Sequence, residues 1–155
     1  MRRGRLKPSR LILLLALAPG ACAPRLPAGV DGERLTHEIS QAIGDPNTCV
    51  LIAASGTDKP AYRYNTHITC ARVLPACSAP GKQSVSDLLT AVARDGAPRA
   101  TSCPSNADGS RGVAWAAGPI EGRGLVYAAV MEGERAFPGR MMAERLARAF
   151  KDAGL

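Results

Sequence analysis

Leu125-Val126-Tyr127-Ala128-Ala129-Val130-Met131 is the stretch on which the fold turns. It holds no charge and no turn former, so it predicts a strand that is apolar on both faces. Such a strand belongs in the middle of a sheet covered on each side. Val113-Ala114-Trp115-Ala116-Ala117 has the same character, and a turn through Glu121, Gly122 and Gly124 makes the two neighbours. Upstream, Cys49-Val50-Leu51-Ile52-Ala53-Ala54 is a third doubly apolar run. Turn residues from Gly56 to Pro60 then lead to Tyr62-Arg63-Tyr64-Asn65-Thr66, which pairs back on it as a hairpin. Arg99 to Cys103 is a further short strand.

Three helices are predicted around these strands. Leu35, Ile39, Ala42 and Ile43 fall on one stripe of a helix from Glu33 to Ile43, stopped by Gly44, Asp45 and Pro46. Val85, Leu88, Leu89 and Val92 make one face of a second, Val85 to Arg94; Ser84 with Asp87 is a capping-box start, and Gly96 and Pro98 end it. A third spans Pro138 to Phe150, with Pro138 suited to the first turn and Met142, Leu146, Ala149 and Phe150 on one side. The loop before it, Gly133 to Arg140, offers Phe137 either to a partner or to a hydrophobic staple.

The order α-β-β-α-β-β-β-α predicts a single α+β domain over residues 33–155: a mostly antiparallel five-stranded sheet with helices on both faces. This order resembles that of profilin-like and roadblock-type folds, a likeness of element order that implies architecture and no function. Val113 to Phe150 also resembles the last two strands and helix of serine β-lactamases. The chain is far shorter than such enzymes and lacks their serine and lysine motifs, so no such activity is implied.

Five cysteines are present, four of them inside the domain. In an oxidising compartment four predict two disulfides. Cys49 opens one strand and Cys70 follows its hairpin partner; Cys77 precedes the second helix and Cys103 ends the strand returning beside it. Cys49–Cys70 and Cys77–Cys103 are therefore the expected pairs, against a rival in which Cys70 and Cys77 close a small loop. The rest of the core must be filled with only six aromatic residues.

The N-terminus points to the same compartment. Arg2, Arg3, Arg5, Lys7 and Arg10 precede the apolar run Leu11 to Ala18 and the small residues around Cys22, the three regions of an export signal covering residues 1–22. The apolar run is too short to span a bilayer. Gly20-Ala21-Cys22 resembles the lipobox of bacterial lipoproteins, with Pro19 where that family usually has Leu; the resemblance implies acylation of Cys22 and a lipid anchor in the membrane. The alternative, cleavage after Ala23, places Pro24 directly after the cut. Arg2 to Lys7 loosely resembles a twin-arginine signal, with Arg5 where an aromatic is expected; an ordinary basic leader explains it as well. Residues 23–32, rich in Pro and Gly, read as a tether.

Five of the twenty bases precede Cys22, leaving fifteen against thirteen acids, about +2 for the mature chain. With no cluster of bases and aromatics, nucleic acid is not an expected partner. His37 and His67 share no ligand spacing, and phosphate-loop and dinucleotide motifs are absent, so neither a metal nor a cofactor is expected. The remaining candidate for chemistry is the loop 101–112, where Ser102, Ser105, Asn106, Asp108 and Arg111 could bind an anion or a sugar. The plainer reading is an Asx-type turn pinned by a disulfide, with Arg111 pairing Asp108. These features favour a non-enzymatic envelope module that binds a protein or cell-wall component. The alternative is a small periplasmic enzyme or small-ligand binder using that loop together with His67.

Overall fold

The computed structural model describes residues 23–155; the stretch read as an export signal, with Cys22, lies outside the described residues. The elements in chain order are α1 (Gly32–Ile43), β1 (Cys49–Ala54), β2 (Pro60–Tyr64), α2 (His67–Cys70), β3 (Leu74–Pro75), β4 (Lys82–Gln83), α3 (Val85–Asp95), β5 (Arg99–Pro104), β6 (Gly112–Ile120), β7 (Leu125–Gly133) and α4 (Gly139–Asp152). Five strands form one antiparallel sheet in the order β2-β1-β7-β6-β5. The expected mixed α+β class with a five-stranded sheet is thus the observed one, and β7 sits at its centre.

Strand alternation sorts the apolar residues into two cores. Val50, Ile52, Tyr127 and Ala129 face one side, where Leu35, Ile39 and Ile43 of α1 and Met142, Leu146 and Phe150 of α4 cover them. Leu51, Ala53, Trp115, Ala128 and Val130 face the other side, where Val85, Leu88, Leu89 and Val92 of α3 lie. Each helix is thereby placed by its own apolar stripe. Asp31 caps α1 by accepting from Glu33 N–H. Ser84 and Asp87 form the expected capping box on α3, and Gly96 ends that helix in the left-handed conformation. Leu26 and Val30, in the stretch read as tether, pack against the α1/α4 core.

Three elements are additional to the predicted order: the one-turn helix α2 and the two-residue strands β3 and β4, all in the crossover from β2 to α3. Asn65, at a φ of 76°, ends β2, and Thr66 caps α2 by accepting from Thr69 N–H. The hairpin partner of β1 therefore spans Pro60–Tyr64, two residues earlier than its alternation suggested. Both expected disulfides are formed, Cys49–Cys70 and Cys77–Cys103, with Cα separations of 5.2 and 5.5 Å. They pin the crossover at both ends to the α3 side of the sheet, and disulfides of this kind mark an oxidising environment. Among the described residues no helix is long and apolar enough to cross a membrane.

Candidate functional site

Glu132 is the last residue of β7 to carry a side chain, and the pleat that turns Val126, Ala128 and Val130 toward α3 turns its carboxylate the same way. Its side chain is 4% exposed. A carboxylate so buried requires partners, and four donors meet it. Arg111 Nε and Nη2 donate at 2.8 and 3.0 Å, Arg72 Nη2 at 2.8 Å and Ser105 Oγ at 2.8 Å. The Arg111 fork is the main reason the carboxyl is held down at about 2, with Arg72 and Ser105 adding to it and burial opposing them.

This cluster corrects the expected Arg111–Asp108 pair. Asp108 instead accepts from Ser110 N–H at 2.9 Å, and that turn is what lowers its pKa. Asn106 closes the loop from within, accepting from Arg111 N–H at 3.0 Å and donating to Ser110 Oγ at 2.8 Å. Of the five candidate residues, Ser105 and Arg111 converge on Glu132, while Asn106 and Asp108 hold the loop's own backbone. Ser102 lies exposed on β5 and meets Arg111 only along a shallow depression of about 280 Å³. His67 is elsewhere, its Nδ1 3.3 Å from Arg63 Nη1, and His37 is exposed on α1. Among the described residues no group of three or more acids, His and Cys is placed to hold a metal.

Arg72 and Glu132 were not singled out from the sequence. The signal for Glu132 was an acid continuing a doubly apolar strand, a position that demands a cation. Nothing local marked Arg72, because it reaches the site across 60 residues of chain.

Two apolar features remain open to solvent. Ile68 and Val73, on the disulfide-pinned crossover, are 84% and 57% exposed. Between α4 and the strands β5 and β6 runs a cleft of about 670 Å³, bordered by Ala100, Gly118, Tyr127, Ala143, Ala147 and Phe150. By contrast Phe137, read as a possible contact residue, is half-buried against the α1/α4 core, with the Arg145 guanidinium 4.2 Å over its ring.

Comparison with protein-family models, with curated proteins and with solved structures gives no match.

Proposed function

We propose that the chain is an exported cell-envelope protein, anchored to the membrane through an acylated Cys22, whose folded domain is a non-enzymatic binding module. One contrast supports this reading above others. Ser105 and Arg111 are committed to Glu132, and Asn106 and Asp108 to the loop itself, whereas apolar surface at the α4 cleft and at Ile68 and Val73 is presented to solvent. Buried polar networks rigidify, and open apolar surface on a rigid frame recognises. The two disulfides suit a periplasmic location, where such bonds persist.

Intact mass of the membrane fraction after expression in a bacterium tests it. A diacylglyceryl or triacyl Cys22, with a deficit of four hydrogens for two disulfides, is the expected result. An unprocessed cytosolic chain with four free thiols would refute the reading.

A further inference from the structure

The cleft beside α4 has a specific origin in the sequence. Gly139, at the start of α4, lies so close to the strands that a Cβ there would stand 2.5 Å from the Thr101 oxygen and 2.7 Å from the Trp115 oxygen. The first turn of the helix thus rests on the backbone of β5 and β6. Toward its C-terminus, Phe150 stacks edge-on against Tyr127 with ring centroids 5.0 Å apart, and these two rings hold the last turns at aromatic thickness from the sheet. Along α4 the gap is bordered by Ala143 and Ala147, whose small side chains leave it open, and by Phe150 and Lys151 at its far end. The result is an apolar wedge of about 670 Å³, the size of a small-molecule site.

One polar group in its wall is left over. Tyr127 is 6% exposed, and its hydroxyl makes no hydrogen bond among the described residues. Burial raises its pKa to about 12, so at neutral pH it is a proton donor. The ring is buried, but the hydroxyl oxygen is open to solvent at the cleft, where water or a bound molecule is its partner. The cleft mouth carries Lys151 and Glu121, with Arg99 held by Asp95 through contacts of 2.6 and 3.0 Å. The mouth therefore offers both signs of charge, while the interior offers hydrocarbon contact and one donor.

We propose that this cleft binds a single acyl chain, whose carbonyl or carboxylate oxygen accepts the Tyr127 hydroxyl proton while its methylenes lie along Ala143, Ala147 and Phe150. The eight helical steps from Ala143 to Lys151 span about 12 Å at 1.5 Å each, room for a medium-length chain. Burial of each methylene favours the complex, and the single donor fixes which end of the chain meets Tyr127. This inference rests on the binding-module reading and names its ligand class.

The test is titration calorimetry of the exported full chain with dodecanoate and, separately, with the glycerol monoester of the same acid. Saturable one-to-one binding of either is expected. Tyr127→Phe weakens it about five- to tenfold by removing one hydrogen bond. Ala147→Trp, at an exposed position of the helix, fills the cleft and abolishes binding while leaving the fold intact by circular dichroism. Weakening of dodecanoate alone by Lys151→Glu assigns the free acid as ligand, and equal binding of the ester assigns an esterified source. Binding of neither amphiphile, or binding untouched by Ala147→Trp, overturns the proposal. A correctly lipidated and disulfide-paired protein that binds neither loses the ligand class and keeps the envelope reading.

Discussion

Trp115 Nε1 donates to the carbonyl oxygen of Pro75 at 2.7 Å, tying the middle of β6 to a hairpin forty residues earlier in the chain. The bond is a buried anchor of the β3/β4 pair, which has only two paired positions and is otherwise tied to β5 through Cys77–Cys103. Trp115→Phe keeps an aromatic in the core and removes the donor, leaving the carbonyl unsatisfied. We expect a loss of about 2 kcal/mol and faster hydrogen exchange at Ala76 N–H, which bonds to Gly81 O, while α4 amides keep their protection. Uniform loss of protection across the domain would contradict a local anchoring role.

The Glu132 cluster should dominate acid sensitivity. Its pKa falls from 4.5 to about 2 on folding, so the unfolded chain takes up the proton first. The resulting stabilisation is complete above about pH 5 and drains away as pH falls through 4.5 toward 2, amounting to about 3 kcal/mol in all. In Glu132→Gln the two arginines face a neutral amide, and a deficit of similar size is expected at pH 7. Urea unfolding should show the gap between wild type and variant closing by pH 2. A gap independent of pH would mean that the carboxylate charge is not what the arginines hold.

Gly139→Ala places a methyl group against backbone that has nowhere to go. Either α4 lifts from β5 or the strand bends, and a loss of about 3 kcal/mol is expected, at the upper end for overpacking. The drop in Tm on calorimetry is the measurement. The neighbouring Arg140→Ala, at an exposed site, should leave Tm nearly unchanged.

Each disulfide closes a loop of 21 or 26 residues of sequence separation, so removing either pair by Cys→Ser substitution should cost about 3 kcal/mol through the wider unfolded ensemble. Replacing Cys77 and Cys103 frees a backbone held at a φ of 64° at Cys77, where a non-glycine residue is disfavoured. That pair is therefore expected to cost less than Cys49 with Cys70, both buried, when the two double variants are compared by denaturant titration.

Periodicity exposed what periodicity controls. The stripes of α1, α3 and α4 and the doubly apolar runs of β1, β6 and β7 place the two cores on opposite sides of one sheet, and the cysteine positions follow from that layout. α2 escaped because four residues cannot display a helical repeat, and β3/β4 because a two-residue strand is defined only by its partner. The chemistry of the 101–112 loop was half visible. Ser105 and Arg111 belong to a cluster, but its centre, Glu132, and its second cation, Arg72, are assembled by tertiary contacts. Tyr127 looked like core filling in a strand; only the tertiary packing of α4 against β5 and β6 puts it at the edge of a cleft.

Both sulfur bridges lie in the layer formed by the crossover, α3 and the strands beneath, while α1 and α4 contain no cysteine. Covalent reinforcement of this molecule is one-sided. A harsh, fluctuating exterior would tax the two halves unequally, with the α3 half keeping its shape and the opposite half free to breathe. The cleft opens to solvent in that unreinforced half, on the side of the sheet that no sulfur bridges.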